Sequence, residues 1–206
     1  MSEPEDRKNI SPQSGAELAR LSEAIFSSHI LLPVLETINQ RTDREFWIGA
    51  GAVAQTVWNY QTDRPCEHGL NDIDIAYYDA ADLSEASEKR IEREMTETLG
   101  EIGFPLDLKN QARVHTWYVR KFGCDISPHK SLREAVGTWP TTATAVAIRL
   151  KGETGTLEVI APFGLGDLLS LTVRPNRKQI SQEIYEKYRR RWQTLWPELK
   201  IEVWTP

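Results

Sequence analysis

Cysteine is scarce. Only Cys66 and Cys124 occur, far apart and in no Cys-x-x-Cys pair. That excludes a disulfide framework, argues against a thiolate zinc site and predicts no disulfide-linked partner; the pattern suits a reducing cytoplasm. Long apolar runs are missing as well. No segment approaches the ~20 residues that a membrane span needs, so no membrane partner is expected. Positive charge is not in excess: 25 basic against 30 acidic side chains leave a net charge of -5. Broad DNA coating, which needs a basic face, is excluded, while a small local phosphate site is not. Residues 1–14 are polar and acidic, with neither the pattern of a secretion signal nor that of an Arg-rich transit peptide. They read as a disordered leader. No Gly-x-Ser-x-Gly elbow is present, and Gly152 and Gly155 lack the lysine of a Walker loop, so hydrolase and P-loop readings drop out.

What remains is a chain of 206 residues, 40% hydrophobic and 27% charged, the balance of a globular protein. Its length predicts one domain, over residues 15–206. Apolar residues recur at helical spacing from Ala16 to Asn39, with Pro33 as the expected kink or break. Glu45–Gly49 reads as a strand, Ala52–Tyr60 as a helix and Asp72–Tyr77 as a strand of period two. Ser84–Leu99 is a charged amphipathic helix, with Ser84 as N-cap and Gly100 as stop. Phe104–Leu108 and Arg113–Val119 are read as strands, Ser131–Val136 as helix. Ala143–Leu150 and Thr156–Ile160 form a hairpin, and Gln179–Leu195 a last amphipathic helix. Interleaved helices and strands predict an α/β (α+β) fold, a mixed sheet flanked by helices. Most of the seven tryptophans are expected in the core or in pocket walls.

The chemistry concentrates in Phe46–Val53 and Asn71–Ile75. Gly49 and Gly51 sit in a turn between strand and helix. Such a turn lets backbone approach a ligand, and the helix start offers free N–H groups to an anion. Asp72 and Asp74 alternate with Ile73 and Ile75, so both carboxylates leave one face, about 7 Å apart. By composition alone an acid-x-acid pair arises about four times in such a chain; the preceding strand, glycine turn and helix single this one out. Two carboxylates beside a phosphate-holding turn form a cradle for a divalent cation. Asp107 becomes the third acid if its strand lies beside that of Asp72. Gln55, one turn into the helix, is placed toward a nucleotide. Asn110, Gln111, Arg113 and His115 follow Asp107 and are candidates for gripping base or phosphate, Arg113 foremost. Asp167 reads as a helix cap, and Arg189–Arg191 as a solvated face. A rival reading takes Gly49-x-Gly51-x-x-Ala54 and a later acid as a dinucleotide fingerprint.

These residues resemble the nucleotidyltransferase superfamily, with its strand, glycine turn and helix, Asp-x-Asp on the next strand and a third acid later. More narrowly, four segments are similar to a bacterial nucleotidyltransferase-like group of unassigned function: Ala50–Asn59, Asp72–Asp79, Lys109–Tyr118 and Ala161–Leu168. The likeness spans about residues 20–206. It departs in the turn, where Gly49-Ala50-Gly51-Ala52 has no hydroxyl, and where Ala54-Gln55 replaces the Arg-Asp of tRNA-end-adding relatives. The resemblance implies transfer of a nucleoside monophosphate from a nucleoside triphosphate to an acceptor (small molecule, protein or RNA), with pyrophosphate leaving. It implies Mg2+ (or Mn2+) held by Asp72, Asp74 and Asp107, with Asp107 near the attacking hydroxyl. Substrate contacts fall to Gly49, Gly51, Gln55, Asn110, Arg113 and His115. A catalytically silent nucleotide-binding module of the same fold is the alternative.

Overall fold

The computed structural model describes residues 14–205; the expected leader, apart from Ser14, lies outside them. Two helices open the chain, α1 (Gly15–Phe26) and α2 (Leu31–Arg41). Ser14 closes a capping box with Glu17. The break predicted at Pro33 falls instead at residues 27–30, where Ser28 Oγ accepts the Leu31 N–H at 3.0 Å. Pro33 then lies in the first turn of α2, where a helix needs no N–H from it. The two helices meet at 96°; among the described residues no single helix is long and apolar enough to cross a membrane, and only this bent pair passes by length and composition. Its apolar face, with Leu21, Ile25, Leu31 and Leu35, is buried in the core.

A five-stranded mixed sheet follows, in the order β3-β2-β1-β4-β5. Its strands are β1 (Trp47–Gly49), β2 (Ile73–Tyr77), β3 (Leu106–Asn110), β4 (Ala147–Lys151) and β5 (Thr156–Ile160). Helix α3 (Ala50–Gln61) joins β1 to β2, and α4 (Glu85–Leu99) joins β2 to β3. Ser84 caps α4 and Gly100, at φ 64°, ends it. The β2–β3 pair is parallel, which requires a crossover such as α4, whereas β1–β2 is antiparallel. No βαβ unit therefore surrounds Gly49 and Gly51, and the dinucleotide-binding alternative fails on topology.

Strand parity sorts the two faces of the sheet. Ile48, Ile73, Ile75, Leu108 and Ile148 are buried in the main core with α1, α2 and α3. Trp47, Ala76 and Ala147 point the other way, into a smaller cluster with Leu132 and Val136 of α6 (Leu132–Val136). Asp74, two residues from Ala76, shares this second face. The small cluster covers only part of it and leaves the end carrying Asp74 open.

The segment Arg113–Val119 is a helix rather than a strand: α5 (His115–Phe122). Val114, Trp117, Tyr118 and Phe122 recur at three- and four-residue steps, and this spacing prevails over a local composition rich in aromatic and β-branched residues. Gly123, at φ 75°, ends it. Helix α7 (Gly166–Leu169) carries Asp167 in its first turn, but Leu165 occupies the cap. Asp167 instead accepts from Thr142 at 2.6 Å and pairs with Arg174. The short strands β6 (Thr172–Val173) and β7 (Lys200–Ile201) flank α8 (Gln182–Leu195). Trp192 and Trp196 meet Trp58 of α3 edge-on, at 5.4 and 5.3 Å. Trp196 Nε1 also donates to Asn59 at 2.8 Å. That aromatic contact fixes α8 over the open end of the second face.

Candidate active site

β1 runs into α3 with no intervening loop. Gly49 is extended, at φ -151°; its reason is space, since a Cβ there would lie 2.5 Å from the Trp139 ring and 3.0 Å from the Val146 carbonyl. The left-handed residue of the turn is Ala50, at φ 49°. The expected ligand-facing role thus divides. Gly49 makes room for Trp139, while a Cβ on Gly51 would stand 3.5 Å from Asp74 Oδ2 and 3.0 Å from Gln55 Nε2. Gly51 and Gln55 are one helical turn apart and face the same place.

Asp74 pairs with Asp107 in the parallel β2–β3 ladder. Asp72 immediately precedes β2 rather than lying within it. All three side chains border one cavity of about 420 Å³. Burial, then the neighbouring Asp72 and Asp107 charges, push the Asp74 carboxyl up to about 7, although the Gly51 and Ala52 N–H groups at the start of α3 act in the opposite sense. Burial and then Asp107 raise Asp72 as well, against the pull of Arg191. The same carboxylates, after burial, hold the Tyr188 phenol above its ordinary value.

Positive groups ring these acids. Lys109, Lys121 and Arg191 border the cavity, together with Tyr188, Trp139 and Trp192. Lys109 Nζ contacts the Asp107 carboxylate and lies 4.0 Å from Glu92. Burial alone would lower the Lys109 ammonium; its bond to Asp107 and the charges of Asp107, Glu92 and Glu88 outweigh that and raise it. Arg191 Nη2 donates to the Gly69 carbonyl, tying α8 to the loop before β2. With the side chains so placed, no group of three or more His, Cys, Asp or Glu among the described residues stands in metal-holding geometry; the Asp107 carboxylate is engaged by Lys109.

Gln55 borders the cavity. It is only 5% exposed, and its Oε1 is buried without a hydrogen-bond partner. Asn110, Arg113 and His115 do not reach it. Parity decides the first: on β3, Asp107, Lys109 and the following Gln111 share one side, and Asn110 has the other. Asn110 is wholly buried; its Nδ2 donates to the Asp79 and Asp82 carbonyls and its Oδ1 accepts from Asp79 N. Arg113 is buried against Glu88, at 2.6 Å, and Leu83 O, at 3.1 Å. Glu88 accepts the Asn110 N–H too, at 2.7 Å. His115 begins α5, and its Nδ1 is buried without a partner. The anchor of the loop after β2 was thus mistaken for a substrate grip. Lys109, Tyr188 and Arg191, the last expected on a solvated face, line the cavity instead. Two-residue steps from Asp107 would have found Lys109; nothing local marks Tyr188 or Arg191.

The model of a family described as Nucleotidyltransferase matches residues 37–201. The chain belongs to this nucleotidyltransferase family. A protein whose NMR structure is described as a CCA-adding enzyme head domain is similar, at 26% identity and TM-score 0.70, over 89% of this chain and 95% of that one. The fold is therefore that of a nucleotidyltransferase head domain. A tRNA-processing enzyme in its apo form I is 19% identical, at TM-score 0.46, over 95% of this chain and 46% of its own. No curated protein matches the chain.

Proposed function

We propose that this nucleotidyltransferase moves a nucleoside monophosphate from a nucleoside triphosphate to an acceptor hydroxyl, releasing pyrophosphate. The observation that carries the reading is the ladder pair Asp74–Asp107, with Asp72 beside it, at the start of α3. The three carboxylates, with Asp74 lifted to about 7 by burial and then by its acidic neighbours, form an all-oxygen donor set. Their oxygen chemistry fits a hard divalent cation, so Asp72, Asp74 and Asp107 would hold Mg2+ (or Mn2+). When bound, such an ion supplies charge neutralisation at phosphorus and acidifies a hydroxyl.

The residues of the chain then divide the work. The acceptor oxygen bonds to the α-phosphorus, and the bond from that phosphorus to the bridging oxygen breaks. The pyrophosphate keeps the bond pair. Asp107, the more open of the ladder pair, takes the hydroxyl proton. Lys109, Lys121 and Arg191 hold the phosphates by charge, in place of the hydrogen bond that a turn hydroxyl would donate, for Ala50 and Ala52 have none. Gln55 orients the nucleotide through its unpartnered amide oxygen. The acceptor is a small molecule, a protein or an RNA. The two free cysteines, Cys66 and Cys124, suit a cytoplasmic location.

The test is transfer of label from α-labelled nucleoside triphosphates, with Mg2+, to RNA, protein and small-molecule fractions of a cell extract. Pyrophosphate and labelled product are expected with the wild type and absent with Asp74→Ala. Metal-dependent triphosphate binding with no product in any fraction would instead support the silent binding module. Two features favour that second reading: the turn without a hydroxyl and the engagement of Asp107 by Lys109.

A further inference from the structure

A second cavity, of about 170 Å³, opens beside the acid cavity. Trp117, Tyr118 and Phe122 of α5 wall it on one side, and Ile184 and Tyr188 of α8 on the other. Lys109, Gln111, Trp139 and Tyr188 border both cavities, so the two adjoin.

Apart from Lys109, the polar side chains of this recess carry no formal charge. His129 is buried, and its Nδ1 lies 3.3 Å from the Gln111 carbonyl. A carbonyl only accepts, so Nδ1 carries the proton. Burial lowers the His129 pKa, which keeps the ring neutral and leaves Nε2 as an acceptor. Gln179 Nε2, at 3.1 Å, donates to it. The amide of Gln179 is thereby oriented, and nothing among the described residues donates to its oxygen. Tyr118 Oη donates to the Gln179 main-chain carbonyl at 2.8 Å, tying α5 to the segment just before α8. The side-chain amide of Gln111 likewise has no partner among the described residues. Flat aromatic walls, amide donors and acceptors without formal charge, and a lysine at the mouth describe a complement to one kind of group. That group is a planar heterocycle joined through a sugar to phosphate.

We propose that the α5–α8 recess receives a nucleobase, read at its edge by Gln179 and Gln111, with the attached phosphate over Lys109. The proposal rests on the nucleotidyl-transfer reading of the adjoining acids. The base belongs either to the triphosphate or to the terminal nucleotide of an RNA acceptor; the chemistry is shared.

Calorimetry and NMR on the full chain test it. The probes are the four nucleosides, the four nucleoside triphosphates, inorganic tripolyphosphate and a short RNA without triphosphate. At least one base is expected to move the His129 ring resonances. Shifts by free triphosphates assign the recess to the donor base; shifts by the RNA and not by triphosphates assign it to the acceptor. Ile184→Phe, which fills the recess, should abolish these shifts and weaken binding of the responding ligand at least tenfold. It should leave Mg2+-dependent tripolyphosphate binding unchanged. Gln179→Leu, a milder change, should alter the ranking of the four bases. The proposal is overturned if no base moves His129, or if folded Ile184→Phe binds the responding ligand as the wild type does. Failure of the acid-site reading looks different: tripolyphosphate would not bind, or would bind equally to Asp74→Asn, whatever the nucleosides do.

Discussion

Asp74 and Asp107 stand opposite each other on adjacent parallel strands, and the more enclosed of the two, Asp74, is lifted to about 7 by burial and by its acidic neighbours. The fold therefore holds a carboxylate where it is least comfortable, which is a common cost of an active site.

Stability should reflect this. An acid whose folded pKa lies above its unfolded value favours the folded state when protonated. The contribution is complete below about 3.8, falls as pH rises toward about 7 and is then gone. Asp74→Asn is accordingly expected to be inactive, yet more stable than the metal-free wild type at pH 8, with the gap closing near pH 4. Mg2+ should stabilise the wild type at pH 8 and not the variant. Urea denaturation across pH checks both, and a variant less stable than the wild type at pH 8 contradicts the burial argument.

The Glu88–Arg113 pair should act on stability rather than on substrate. Both side chains are 8% exposed, and Glu88 also accepts the Asn110 N–H. Glu88→Ala strands a buried guanidinium and is expected to cost about 3–5 kcal/mol. The milder Glu88→Gln, still folded, should keep the wild-type KM for nucleoside triphosphate within about twofold. Denaturation midpoints and steady-state kinetics separate the two effects.

The turn should respond to substitution in opposite directions at neighbouring positions. Gly49→Ala pushes on the Trp139 ring 2.5 Å away and is expected to cost about 1–3 kcal/mol. It should also raise KM, because Trp139 walls the cavity. Ala50→Gly relieves a left-handed alanine at φ 49°, worth about 1–2 kcal/mol, against about 0.5–1 kcal/mol for the added backbone freedom. Its midpoint should equal or exceed that of the wild type.

Lys109 should compete with a divalent cation for Asp107. Lys109→Met is expected to tighten Mn2+ binding several-fold while weakening tripolyphosphate binding. Calorimetric titration of each ligand alone reads the two separately, and unchanged Mn2+ affinity would mean that Asp107 takes no part in the cation site.

Local pattern alone determined much of this. Alternation of Asp72-Ile73-Asp74-Ile75, the turn at Gly49–Gly51, the caps at Ser84 and Gly100 and the hairpin of β4 and β5 depend on neighbours within a few residues, so their periodicities are visible in the chain. Even there, aromatic composition masked the helical spacing of α5. Whether Asp107 meets Asp74 depended on parallel pairing across α4, which no local pattern encodes. The same register set Gln111 toward the site and Asn110 away from it. The contact of Arg113 with Glu88, 25 positions earlier, and the closure of the cavity by Tyr188 and Arg191 arise from packing between remote segments. Burial and charge at the site are sums over such neighbours, so only the folded chain could decide which polar residues hold the structure and which face the cavity.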